Sequence, residues 1–127
     1  YDKTMAKLIE LKTFKEKKGC LTVIEKDLPF EIKRVYYIYE CDGSVRGNHM
    51  HKKTIQAIVC IKGSVDFYCK KEKQKTIKFN LNNPNKCLIV MPDDFHWFDN
   101  FSSDAIILVM ASEYFKKSDY IYDKKWN

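Results

Sequence analysis

The sequence predicts an all-β fold, a sandwich or barrel of short antiparallel strands. Three observations carry that reading. Short runs of apolar, β-branched and aromatic residues recur, and turn signals break them at roughly eight- to twelve-residue intervals. No amphipathic helical pattern of about ten residues or more interrupts them. The chain has 127 residues, of which 45% are hydrophobic and 14% aromatic, which is one domain with enough bulk for a core.

Each element follows in turn. Ala6–Leu11 and Leu21–Ile24 read as strands joined by a lysine-rich turn that ends at Gly19. Ile32–Tyr39 (I-K-R-V-Y-Y-I-Y) has strand composition, and Cys41-Asp42-Gly43-Ser44 turns the chain. Ile55–Ile61 and Val65–Cys69 flank Lys62-Gly63-Ser64, a hairpin signal. Thr76–Leu81 runs into Asn82-Asn83-Pro84-Asn85, and Cys87–Met91 stops at Pro92. Ala105–Ala111 is the last strong strand, and the tail after Tyr114 is capable only of a short helix or turn. No linker or repeat divides the chain, so residues 1–127 are expected to form a single domain.

Composition excludes several function classes. The longest apolar runs, such as Ala57–Ile61 and Ala105–Ala111, fall far short of the ~20 residues that cross a bilayer. No basic-then-apolar leader precedes Lys7, so no membrane partner and a cytoplasmic location are expected. Lys and Arg total 23 against 17 acids, a net charge of +6, but only Arg34 and Arg46 are arginines. The lysines are scattered, which argues against nucleic acid as a partner and suits steering of a small anion. Five cysteines form no C-x-x-C pair and no zinc spacing, and are expected to be buried reduced thiols.

The three histidines are the most informative residues. His49 and His51 are one residue apart, so in a strand both rings project to the same face. From Gly43 the order is G-x5-H-x-H-x4-Q-x6-G, through His49, His51, Gln56 and Gly63. This resembles the first motif of the cupin superfamily, with Gln56 where Glu is common. His96 and Asn100 hold the spacing of the second cupin motif, while Met91 and Asp93 depart from its Pro and Gly. The resemblance implies a cupin jelly-roll barrel with His49, His51, Gln56 and His96 near its lumen. Three imidazoles can hold Zn²⁺, Fe²⁺ or Mn²⁺, although Gln56 cannot offset the ion's charge as a carboxylate would. Paired imidazoles serve proton transfer equally well.

A closer resemblance covers roughly residues 6 to 126. Leu21-Thr22-Val23-Ile24-Glu25, Pro29 through Tyr39, Arg46-Gly47-Asn48-His49-Met50-His51, Leu108-Val109-Met110-Ala111-Ser112 and Asp119-Tyr120-Ile121 occur in one order. Together they resemble the dTDP-4-oxo-6-deoxyglucose 3,4-ketoisomerases of bacterial deoxysugar biosynthesis. Tyr122 and His96 depart from the Arg that many relatives carry there. The sugar 3,5-epimerases, which also act on dTDP-sugars, normally lack the R-G-x-H-x-H element.

The resemblance implies a metal-independent isomerase without cofactors, acting on a dTDP-linked 4-oxo-6-deoxyhexose. His51 is expected to be the C3 base, with His49 holding oxygens or sharing the proton, and Tyr37 orienting the sugar. Arg46, and less directly Arg34, would grip the pyrophosphate, and Gln56 a hydroxyl or a histidine. Lys18 and His96 would influence the C4 configuration, with a lean to galacto. A homodimer is implied, with N-terminal strand exchange. A metal-dependent cupin enzyme and a non-catalytic sugar-nucleotide binder are the alternatives.

Overall fold

The computed structural model describes residues 6–122, and the ends of the expected 1–127 domain lie outside the described residues. Twelve strands are described: β1 (Lys7–Glu10), β2 (Lys12–Glu16), β3 (Gly19–Val23), β4 (Arg34–Ile38), β5 (Arg46–His51), β6 (Gln56–Lys62), β7 (Val65–Lys70), β8 (Ile77–Leu81), β9 (Lys86–Val90), β10 (Phe95–Asp99), β11 (Ile106–Ala111) and β12 (Tyr120–Ile121). The one helical turn among them is a 3-10 turn at Lys117–Asp119, which answers the short C-terminal helix or turn expected from the sequence.

Two five-stranded antiparallel sheets form the barrel, in the orders β1-β9-β6-β11-β4 and β12-β5-β10-β7-β8. Alternation along the strands decides what lies between them. Ile58 and Cys60 of β6, Phe67 of β7, Leu88 of β9, Phe98 of β10 and Val109 of β11 point inward and form one buried cluster. The intervening residues Ala57, Val59, Ile89 and Met110 form a second cluster on the outer face of the first sheet, with Ile24, Leu28 and Phe30 packed over it. Cover on both faces explains why β6 reads as an unbroken apolar run rather than an alternating one.

Three expectations need correction. The lysine-rich stretch before Gly19 is not a turn: its first part is strand β2, which pairs with β3 from Lys12↔Val23 to Glu16↔Gly19. Burial does not sustain that hairpin. Cross-strand contacts do, among them the Thr13–Thr22 hydroxyl bond of 2.9 Å, while Lys12 lies over the Phe14 ring along β2 itself. Strand β10, which carries His96, was hidden because F-H-W-F-D holds a bulky residue at nearly every position. Among the cysteines, Cys60, Cys69 and Cys87 are buried, but Cys20 is exposed and Cys41 half-buried. The N-terminal strand β1 pairs with β9 of its own chain, from Lys7↔Ile89 to Glu10↔Lys86. No helix among the described residues is long and apolar enough to cross a membrane.

Candidate active site

The site forms where β4, β5, β6, β10 and β12 converge. On β4, Arg34, Tyr36 and Ile38 share the inward parity. On β5 the inward residues are Gly47, His49 and His51, and on β10 they are His96 and Phe98. Strand β5 pairs with β10 so that His49 lies opposite His96, and pairs with β12 so that His51 lies opposite Tyr120. Gly47 allows the first of these approaches. Its φ is +93°, and a Cβ there would sit 3.0 Å from the His96 carbonyl oxygen and 3.2 Å from Trp97 Cα.

A cavity of about 180 Å³ opens at this convergence, walled by Arg34, Tyr36, Arg46, His49, Gln56, His96 and Tyr120. It is smaller than the ~300–1,000 Å³ of a typical ligand pocket, which suits a single hexose with a larger appendage outside.

The three imidazoles are tied down in the same way. His49 Nδ1 lies 3.0 Å from the Gly47 carbonyl, and His96 Nδ1 lies 2.9 Å from the Asp94 carbonyl. A carbonyl only accepts, so each Nδ1 carries the proton and each Nε2 keeps its lone pair. His51 Nδ1–H donates to Asp119 Oδ2 at 2.8 Å, and its buried Nε2 has no partner. The ring centroids of His49 lie 5.0 Å from His51 and 4.7 Å from His96.

Desolvation keeps these rings neutral. Burial, with His51 close by, lowers the His49 pKa to about 4 despite the Gly47 contact. Burial and the neighbouring His49 lower His96 to about 3. His51 is also lowered by burial, with Asp119 pulling the other way. Burial alone would raise Asp119, but bonds from the Thr54 hydroxyl, His51 and the Lys53 N–H hold it below the usual carboxylate range.

Opposite the histidines, Gln56 Nε2 donates to the Tyr36 hydroxyl at 3.0 Å. That leaves the Tyr36 O–H free to donate into the cavity. Burial and the nearby Tyr120 raise its pKa, so it holds its proton at neutral pH. The Arg34 guanidinium lies over the Tyr36 ring at 4.3 Å and reaches the Tyr120 hydroxyl at 3.4 Å. Arg46 is exposed at the rim. The buried Gln56 Oε1 has no partner.

The structure therefore gathers His49, Gln56, His96, Arg34 and Arg46 at one cavity, as the sequence leads one to expect. Of the other expected residues, Tyr37 and Lys18 stand elsewhere and His51 adjoins the cavity histidines. Tyr37 is 64% exposed and stacks on Tyr39 at 5.8 Å, on the outer face of β4. Strand parity makes Tyr36 the tyrosine of the cavity instead. His51 is only 3% exposed and bonded to Asp119, with a ring nitrogen within 4.8 Å of those of His49 and His96. Lys18 sits at the exposed tip of the β2–β3 hairpin, a separate two-stranded sheet, and does not line the cavity.

Asp119, Thr54 and Tyr120 join the histidines in the structure, although the sequence singles out none of them as a site residue. Asp119 lies 68 positions from His51, and only its place in the D-Y-I element hinted at a role.

Comparison with known proteins agrees with this geometry. The family model for FdtA, described as WxcM-like, C-terminal, matches residues 4–126. The TDP-4-oxo-6-deoxy-alpha-D-glucose-3,4-oxoisomerase of Aneurinibacillus thermoaerophilus is 39% identical over 118 residues, spanning 91% of this chain and 84% of that protein. The sugar 3,4-ketoisomerase QdtA of Thermoanaerobacterium thermosaccharolyticum, solved in complex with TDP, superposes with a TM-score of 0.89. It is 39% identical, with 93% of this chain and 88% of that one covered. A 3,4-ketoisomerase from Helicobacter canadensis gives a TM-score of 0.88 at 32% identity, covering 93% and 90%. With the barrel, the imidazole cluster and these likenesses in agreement, the chain belongs to the FdtA family of cupin-fold sugar 3,4-ketoisomerases.

Proposed function

We propose that this protein converts dTDP-4-oxo-6-deoxy-D-glucose to a dTDP-3-oxo-6-deoxyhexose by proton transfer, in deoxysugar biosynthesis for bacterial surface glycans. The observation that carries the reading is a neutral imidazole with a free Nε2 facing a protonated tyrosine hydroxyl across a sugar-sized cavity.

The C3–H is acidified by the adjacent C4 carbonyl. His49 Nε2 takes that proton, and the Tyr36 O–H donates to the enediolate oxygen that forms. The O3 proton passes to O4 and the imidazolium returns its proton to C4, so O4 ends as a hydroxyl, the carbonyl ends at C3 and no electrons leave the sugar. His49 lines the cavity, and His51, oriented by Asp119 and with an unpartnered Nε2 beside it, is the other histidine able to take the C3 proton. His51, fixed by Asp119, lies 5.0 Å from His49 between ring centroids and disfavours an imidazolium there rather than stabilising one. Gln56 holds Tyr36 in place, and its free Oε1 accepts from a sugar hydroxyl. Arg46 at the rim meets the pyrophosphate, while Arg34 is committed to Tyr36 and Tyr120.

Incubation with dTDP-4-oxo-6-deoxyglucose in D₂O, followed by NMR, tests activity, deuterium position and product configuration together. His49→Asn is expected to abolish exchange at C3, and exchange retained in that variant would assign the base elsewhere. His96 faces the same cavity and is our candidate for setting the C4 configuration, toward galacto. An unchanged product epimer in His96→Arg would sink that assignment. Lys18, on the exposed β2–β3 hairpin tip, does not line the cavity within one chain and is proposed for the same role only in a dimer.

We further propose a homodimer in the cytoplasm. Its support is the apolar stripe of Val35, Tyr37 and Tyr39 exposed on edge strand β4. Sedimentation of wild type and Val35→Lys tests it: a monomeric wild type would refute the dimer.

A further inference from the structure

Burial holds His96 neutral, so its ring carries one donor and one acceptor, and its surroundings choose which nitrogen faces the cavity. The ring stacks on Phe67 at 5.5 Å and 16° between planes. Stacking fixes the plane of the ring but not its flip within that plane. One contact decides the flip, the 2.9 Å bond from Nδ1–H to the Asp94 carbonyl. That carbonyl belongs to the turn Met91–Asp94 between β9 and β10. The same turn donates the Asp93 N–H to the His51 carbonyl at 3.0 Å, so it meets both buried histidines.

The turn is braced from outside. Asp93 takes a φ of +71°, in the left-handed region that costs an L-residue energy. The Asp94 side chain, 2% exposed, closes the turn by accepting the Met91 N–H at 2.9 Å. Its other oxygen lies 3.3 Å from Lys71 Nζ, which also donates to the Pro92 carbonyl at 3.1 Å. Lys71 reaches in from the end of β7, and its side chain is 14% exposed, against 41% for Lys33 and 57% for Lys78 in their ion pairs. A buried ion pair adds little net stability over an apolar pair of the same shape, because desolvation offsets the attraction. What this one supplies is a single arrangement of the turn.

We propose that Lys71 and Asp94 are positioning residues: their ion pair holds the Met91–Asp94 turn so that His96 presents Nε2 as an acceptor to the sugar, and this sets the C4 configuration of the product. Neither side chain lines the cavity. A flipped ring would put a carbon where the acceptor stands. With the acceptor in place, the O4 hydroxyl is held in one direction, and one face of C4 meets the returning proton. The consequence at C4 rests on the proposed isomerase activity, whereas the hold on His96 stands on the geometry alone.

Tautomer and product are read separately, on the full chain. Long-range ¹H–¹⁵N spectra at neutral pH are expected to show His96 of the wild type wholly as the Nδ1–H tautomer. Lys71→Met is expected to show a mixture with the Nε2–H tautomer, and Lys71→Arg to retain the Nδ1–H form. Asp94→Asn, whose amide oxygen can still accept from Met91, is expected to behave as Lys71→Met does. It and the double variant Lys71→Met/Asp94→Asn carry the same expectation if the unpaired carboxylate prevents Lys71→Met from folding. With dTDP-4-oxo-6-deoxyglucose, the variants that lose the ion pair are expected to give a mixture of C4 epimers where the wild type gives one. Their kcat is expected to fall about 10–100-fold with KM within about threefold. An unchanged His96 tautomer in the folded variants overturns the positioning role. A tautomer mixture with a single product epimer and unchanged kcat overturns the consequence at C4. An inactive wild type refutes the proposed function and that consequence with it, while the tautomer still decides the positioning role.

Discussion

Tyr36 and Tyr37 show how much one position decides. They are adjacent and chemically identical, yet only Tyr36 receives the Gln56 bond and the Arg34 stacking. Tyr36→Phe removes the donor to the enediolate and is expected to lower kcat about 10²–10³-fold. Tyr37→Phe is expected to leave kcat within about twofold. A large loss in Tyr37→Phe, measured by steady-state kinetics, would place the cavity on the other face of β4. The pH profile separates His49 from an ordinary histidine. Protonation removes the base, and the His49 pKa lies near 4. The kcat/KM of the free enzyme is therefore expected to stay flat through pH 6.5 and fall as pH drops through about 4. An acid limb near pH 6.5 would contradict the desolvated neutral imidazole.

Strands β5 and β10 are the elements that make the site. Their pairing shifts register between His96 and Trp97, and Gly47 and Asn48 both take positive φ, +93° and +55°. This irregularity is a bulge in the ladder that aims His49 at His96. Gly47→Ala would add backbone strain at positive φ and press a Cβ on the His96 carbonyl. A loss of about 1–3 kcal/mol is expected, read as a lower Tm together with reduced kcat. A neutral Gly47→Ala would mean the bulge tolerates an L-residue and is not required for the close approach. Strand β12 is only two residues long, yet it returns the chain so that Asp119 meets His51 and Tyr120 covers both rings.

For the whole molecule, the buried histidines set acid stability. Folded His49 and His96 titrate near 4 and 3, while in the unfolded chain both titrate near their ordinary 6.5. Between those values the unfolded chain binds more protons, so stability rises with pH across that window. Unfolding free energy, measured by denaturant titration, is expected to decline from about pH 6.5 downward and to continue declining past 4. In His96→Gln, one of these two contributions is absent and the slope is expected to be shallower. Equal slopes would mean that His96 does not stay neutral in the folded barrel.

By itself the sequence determined the all-β class, most strand positions, the H-x-H face and the family, because alternation and turn residues are local properties that survive in one dimension. Its motifs also brought His49, Gln56, His96 and Arg46 into the site. Tertiary structure decided the rest. In I-K-R-V-Y-Y-I-Y both faces carry bulky side chains, so parity is ambiguous until β4 docks on β11 with Tyr37 opposite Leu108. Lys12–Glu16 lacks a buried face, so only its partner β3 reveals the strand. The surroundings of His49 and His51 differ because one ring lines the cavity and the other meets an aspartate 68 residues away. Burial and long-range partners decide such roles, and neither exists before the chain closes on itself.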